Sequence, residues 1–212
     1  MTASKGFTLV ELLVAIFIAA VMFAVGYSAL TSALDKRRDV EAKLNRIGEL
    51  QTAFRILQQD VGQLAPRPLR DEQGGGILSG GGLTAVNADP RTAVLVGWTR
   101  GGWANPAGVT RGTLQRVQYT LDGDALIRQT WPVSDVTQAT KPVRRTLLKL
   151  VKSAQFRYLD SDRVLQPQWP PATPRATAFK PLQRARFRPI AIELKLELTD
   201  FGKITRLFEC PG

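Results

Sequence analysis

Between Glu11 and Asp35 the chain carries twenty-three consecutive residues without a charge, residues 12–34, dominated by Ala, Val, Ile, Leu, Met and Phe. A helix that crosses a bilayer needs about 20 apolar residues, so this run predicts a membrane helix. A cleaved secretory signal is the competing reading, with Lys5 as its basic region and the small residues at 26–29 as a peptidase site. An apolar signal core is only about 7–15 residues long, whereas this run is longer and continues into a helical pattern. Glu11 also falls inside the stretch that should be apolar, four residues after Phe7. A carboxylate in hydrocarbon costs roughly 3 kcal/mol and marks a functional position by default. It needs a cationic partner, yet residues 12–34 hold no base and Lys5 lies six positions back. The open alternatives are a cation from another chain, an amine freed at Phe7 by cleavage after Gly6, and a side chain that snorkels to the surface without a partner.

The segment Lys5-Gly6-Phe7-Thr8-Leu9-Val10-Glu11-Leu12-Leu13-Val14-Ala15 resembles the class III signal of type IV pilins and of the pseudopilins of type II secretion. The resemblance implies cleavage between Gly6 and Phe7 by the prepilin peptidase on the cytoplasmic side, followed by N-methylation of the Phe7 amine. It also implies that Glu11, the fifth mature residue, pairs with the free amine of a neighbouring subunit during assembly.

Composition narrows the chemistry further. The chain has no histidine and one cysteine, which removes a Ser-His-Asp triad, a Cys-His pair and histidine zinc sites, and Cys210 has no intrachain disulfide partner. An enzyme would have to run on carboxylates, lysine or serine, and no such constellation stands out. The formal charge is +11, and loss of Lys5 with the leader would lower it by one.

Beyond the apolar run the sequence turns charged but keeps helical periodicity. Val40, Ile47, Phe54 and Val61 recur every seven residues, and Leu50, Leu57 and Leu64 follow the last three by three. This stripe predicts an amphipathic helix to about Leu64, stopped by Pro66 and Pro68, packed on the protein's own sheet rather than in a coiled coil. Gly26 and Gly48 mark possible bends. The glycine-rich stretch 71–76 with 80–82 lacks the Lys-Ser/Thr of a phosphate loop and reads as a loop. Strands are expected over 92–99, 114–121 and 125–131, the last two as a hairpin turning at Asp122-Gly123-Asp124. An apolar pair at 147–151 and 154–159, a proline-rich stretch at 167–181, and an antiparallel pair at 190–198 and 203–210 follow. In that last pair Ile190, Ile192, Leu194, Leu196 and Leu198 alternate.

Within the pilin-like superfamily the chain more closely resembles the J-type minor pseudopilins. It is carried by Arg67-Pro68-Leu69-Arg70-Asp71, Val117-Gln118-Tyr119 into Leu126-Ile127-Arg128, Phe156-Arg157-Tyr158 with Asp160, Trp169-Pro170, and the run from Ile190 through Gly202 to Arg206-Leu207-Phe208. One departure is at Asp160-Ser161-Asp162-Arg163, where a glycine turn is expected. The resemblance implies an α+β, type IV pilin-like fold, with one long N-terminal helix packed on a mostly antiparallel β-sheet body. Its parts would be a leader at 1–6, a membrane and assembly helix at 7–34, an amphipathic helix at 35–65 and a periplasmic body at 66–212.

The implied function is non-enzymatic: a structural subunit of the pseudopilus tip that primes assembly for export across the outer membrane. The implied partners are the I-, K- and H-type minor pseudopilins, the major pseudopilin, the prepilin peptidase and the inner-membrane assembly platform, with secreted cargo as a further contact. A minor pilin of a type IV or competence pilus is the alternative. No cofactor or metal is expected: Asp122/Asp124 and Asp160/Asp162 each offer two carboxylates where calcium needs six to eight oxygens, and read as solvated turns. Cys210 reads as an inert thiol. Arg184, Arg186 and Arg188 fit a solvated sheet edge, so nucleic acid is not the expected partner.

Overall fold

The computed structural model describes residues 6–65, 67, 69–70, 77–78, 92–102, 104–106, 108, 110–137, 139–171 and 188–210. The leader residues 1–5, the glycine-rich stretch, Pro66, Pro68, Arg184, Arg186 and most of the proline-rich stretch lie outside them. The chain divides into two compact units, Met1–Gly48 and Glu49–Gly212. A single helix, α1, Leu9–Gly62, contributes to both and continues through Gly26 and Gly48. Ala, Leu, Met, Glu, Gln and Arg favour a helix here, and no proline falls within it.

In the first unit every large apolar side chain from Phe7 to Ile47 is exposed. The predicted packing stripe is therefore shorter than its periodicity. Val40 and Ile47 remain 54% and 38% exposed, and burial begins at Leu50, continuing through Ala53, Leu57 and Val61. Val40 and Ile47 lie in the first unit, whereas the strands all lie in the second. The helix ends at Gly62, and Leu64 leaves it to bridge Arg100 in antiparallel fashion.

Two four-stranded antiparallel sheets build the second unit, beside a short pair, β1 (Leu69–Arg70) with β2 (Ile77–Leu78). The first sheet is a meander of β3 (Thr92–Arg100), β4 (Gln115–Asp122), β5 (Ala125–Trp131) and β6 (Val143–Leu148). The second has the order β10-β9-β7-β8, from β7 (Val151–Leu159), β8 (Leu165–Gln166), β9 (Ala191–Leu198) and β10 (Gly202–Glu209). The hairpin predicted at 114–131 is present, with Asp122 opposite Ala125 and Gly123 at φ 59°. The terminal pair is likewise antiparallel, from Leu198 opposite Gly202 to Ala191 opposite Glu209.

The expected pairing of 147–151 with 154–159 is wrong. Leu147 and Leu148 end β6 in the first sheet, where Leu148 pairs with Leu126, while Val151 already opens β7 in the second, opposite Leu198. The corner is Lys149-Leu150, with Leu150 at φ 60° and its carbonyl accepting from Thr199 N–H at 2.9 Å. An apolar run that switches sheets looks like one strand in a sequence. The alternation at 190–198 also needs trimming, because Ile190 precedes the strand and is exposed. Inside it Ala191 and Glu193 are buried as well, β9 being central between β7 and β10.

Both sheets and the helix share one core. Leu57 and Val61 are fully buried in it with Val96, Trp98, Val117, Tyr119, Phe156, Ile192 and Leu194. Trp98 stacks on Tyr119 at 5.3 Å between ring centroids, and Tyr119 meets Phe156 of the second sheet at 6.1 Å.

Candidate assembly site and the helix–sheet junction

Gly6 and Phe7 stand ahead of α1, and Phe7 is 84% exposed. Thr8 is the N-cap. Its hydroxyl oxygen accepts the Glu11 N–H at 3.3 Å, while Glu11 Oε2 accepts both the Thr8 N–H and the Thr8 hydroxyl at 3.0 Å. This is a reciprocal capping box, Thr-x-x-Glu, satisfying two amide donors that a helix start otherwise leaves open. Thr8 was missed as a functional residue at the level of sequence, although the four-residue box Thr8-Leu9-Val10-Glu11 is its signal. Glu11 Oε1 receives no hydrogen bond among the described residues, so the carboxylate is half engaged by its own helix and retains an acceptor for a cation. Of the three predicted site residues, Glu11 thus lies in the first turn of α1, and Gly6 and Phe7 lie just ahead of its cap.

At the other end of α1 the sequence reading missed Asp60. It is fully buried on the helix face that meets the first sheet. Arg100 Nη1 donates to its Oδ1 at 2.5 Å, Arg128 donates from Nε to Oδ2 at 2.5 Å and from Nη2 to Oδ1 at 2.9 Å, and the Tyr119 hydroxyl donates to Oδ2 at 2.6 Å. Arg100 Nη2 also reaches Gln63, and the Trp98 indole N–H donates to the Asp60 carbonyl at 3.1 Å, filling one of the acceptors at the helix C-terminus. Burial, reinforced by the charge of Asp60, pushes the Tyr119 hydroxyl far above its ordinary pKa. Burial disfavours the charge of Arg128, but the hydrogen bonds and charge of Asp60, together with those of Tyr119, outweigh it and hold Arg128 above its ordinary pKa. A buried carboxylate meeting two arginines is sustained only when its lone pairs are filled, and here they are. The visible signal is an acid between Leu57 and Val61 on an otherwise apolar stripe.

The expected solvated acidic turns divide. Asp122 pairs with Arg144 at 2.8 Å with both side chains about half exposed. Asp160 is instead buried and folds its own turn. It accepts from Val164 N–H at 2.8 Å, Gln166 Nε2 at 2.8 Å and Asp162 N–H at 3.0 Å, and these bonds, that of Val164 foremost, hold its carboxyl below the usual range. Arg163 adopts φ 61° in that turn, the conformation for which glycine was expected. Burial pushes the half-buried Cys210 thiol up to about 12 against the opposing charge of Arg188, so little of it is a nucleophilic thiolate at neutral pH.

Comparison with known proteins agrees with these features. The profile of type II secretion system (T2SS) protein J matches residues 28–210, and that of the prokaryotic N-terminal methylation motif matches residues 1–27. Type II secretion system protein J of Klebsiella pneumoniae is 29% identical over 206 residues, covering 97% of this chain and 94% of that protein. The Escherichia coli protein of the same name is 27% identical over 211 residues, covering 98% and 96%. A chain in the crystal structure of the GspK-GspI-GspJ complex from enterotoxigenic Escherichia coli superposes with a TM-score of 0.63 at 24% identity, over 79% of this chain and 98% of that one, and shares its fold. With a long capped N-terminal helix, a sheet body fastened to its last turns and a profile match spanning residues 28–210, the chain belongs to the type II secretion system protein J family.

Proposed function

We propose that this chain is a minor pseudopilin that enters the pseudopilus tip through its N-terminal helix and primes assembly there. The observation that carries the reading is Glu11, with one carboxylate oxygen in its own helix cap and the other open, at the head of an exposed apolar helix. Residues 1–6 are the leader, cut between Gly6 and Phe7 with methylation of the new Phe7 amine. Residues 7–34 anchor the subunit in the inner membrane, 35–65 extend the helix, and 66–212 complete a periplasmic body. The amine of a neighbour then approaches Glu11 Oε1, and a charge that is costly in lipid becomes an ion pair. The partners are the I-, K- and H-type minor pseudopilins, the major pseudopilin, the prepilin peptidase and the assembly platform, with cargo meeting the tip. The J-protein profile over residues 28–210 supports secretion over a competence pilus.

The test is intact mass of the membrane-extracted protein together with Glu11→Leu. A chain starting at Phe7 with one added methyl group, and a variant that folds but is lost from the tip complex, are expected. A start at Met1 or near Ala29, or undiminished assembly of the variant, would overturn the reading.

A further inference from the structure

β10 is an edge strand with eight residues in unbroken register against β9 on one side. β6, six residues long, is the free edge of the first sheet, and two further edges are partly engaged. The end of β3 is engaged by Leu64 and Ala65, the latter donating its N–H to Thr99, and the edge of β7 is met by β8 at Tyr158 and Leu159. Beside β10 runs a groove of about 820 Å³ between the strand and the last turns of α1, lined by Gln51, Phe54, Arg55 and Gln58 on the helix and by Arg206 and Glu209 on the strand. Arg206 faces the helix side of the sheet, its guanidinium 5.4 Å from the centre of the Phe54 ring.

We infer that this groove receives an extended acidic segment of a partner polypeptide, added as a strand to β10. An edge strand offers a row of backbone donors and acceptors, and a flat, regular edge is the template such addition uses. Charge selects the occupant. Among the lining side chains Arg55 and Arg206 outnumber Glu209. The chain's own segment 172–187 carries Arg175, Lys180, Arg184 and Arg186 and no acid, so like charge disfavours it as the occupant. Carboxylates at alternate positions of an incoming strand would meet Arg206 and Arg55 on the helix side, while its backbone pairs with β10.

The probe is a fluorescein-labelled octapeptide of alternating Glu and Val, titrated into the full chain in detergent and read by anisotropy. A Lys/Val octapeptide and a Glu/Val octapeptide N-methylated at alternate amides serve as comparisons. The Glu/Val peptide is expected to bind, with affinity reduced about tenfold by Arg55→Glu and by each comparison peptide, a loss of about 1.4 kcal/mol. Arg55→Glu leaves the stack of Arg206 on Phe54 in place, and circular dichroism confirms its fold. Equal binding of the acidic and basic peptides, indifference to N-methylation, or an unchanged affinity for Arg55→Glu each overturns the inference. No pseudopilus is needed for the measurement, so its failure would leave the assembly role of Glu11 standing.

Discussion

Replacing Asp60 by Asn is the most searching test of how the helix is held on its sheet. The substitution keeps the volume but removes the charge that Arg100 and Arg128 share, and it puts an NH2 donor where one of the two carboxylate oxygens stood. That atom would face another donor on one side, either Arg128 Nε and the Tyr119 hydroxyl at Oδ2, or Arg100 Nη1 and Arg128 Nη2 at Oδ1. Tyr119 can turn its proton away and accept, but a guanidinium cannot. With the Arg100 and Arg128 side chains only 10% and 15% exposed, water does not replace the lost partner. Breaking a buried, hydrogen-bonded pair from one side costs about 3–5 kcal/mol, and a body of this size loses about 2–4 °C in Tm for each kcal/mol. A fall of roughly 10 °C is expected, followed by near-ultraviolet circular dichroism of the Trp98–Tyr119 stack in the detergent-solubilised full chain. Asp60→Leu combined with both Arg100→Met and Arg128→Met should recover much of the loss, since apolar side chains of similar volume can replace a buried ion cluster when no charge is left behind. A shift for Asp60→Asn within about 1 kcal/mol of the parent would refute the claim that this cluster fastens the helix.

Three smaller perturbations probe the rest. Thr8→Ala removes the N-cap and should cost the first turn of α1 about 1 kcal/mol, seen as faster amide exchange at 9–11, while Thr8→Ser stays protected; equal exchange in both would discard the capping box. Arg163→Gly relieves a left-handed backbone costing about 1–2 kcal/mol against the entropy of glycine at about 0.5–1, so Tm should rise by a degree or two, and a fall would contradict the strain. The carboxyl of Asp160 is held below its ordinary value, so its contribution is complete above the unfolded pKa near 3.9 and disappears as pH falls through the lower folded value. The stability gap between the parent and Asp160→Asn should therefore narrow below about pH 4, and a gap constant down to pH 2 would show that the charge is irrelevant.

The parts of the fold that are legible in the sequence are those governed by a single local period. The hairpin at Asp122-Gly123-Asp124, the pairing of 190–198 with 203–210 and the helix stripe all follow from alternation, a turn residue or a repeat near 3.6. The misreadings arise where tertiary context decides. Leu147 to Val151 is one apolar run, but its two ends serve different sheets because Leu150 turns the chain. Val40 and Ile47 continue the helical stripe, but the stripe cannot reveal that buried packing starts only at Leu50. Asp160 looks like a turn acid among turn acids, and its burial depends on Val164 and Gln166 folding back over it.

The two carboxylates at opposite ends of α1 contrast a structural acid with the acid proposed for assembly. Asp60 and Glu11 both interrupt apolar helix, and the sequence marks each as anomalous for the same energetic reason. Every acceptor direction of Asp60 is filled from within the chain by two arginines and a tyrosine 40 to 68 positions away. Its acceptors are used up within the chain, and what it does directly is hold the body to the helix. Glu11 is engaged only by the residue three positions before it, through one oxygen, and the described residues bring no cation to it. If the apolar helix lies in a membrane as proposed, it is unfinished as a single chain, because a half-satisfied carboxylate in hydrocarbon still costs kcal/mol. In the proposed assembly that partner is a neighbouring subunit's amine, whose positive charge offsets the carboxylate of Glu11. Under the proposed function the fastening at Asp60 bears on assembly indirectly, since seating Glu11 would carry the sheet body along with the helix.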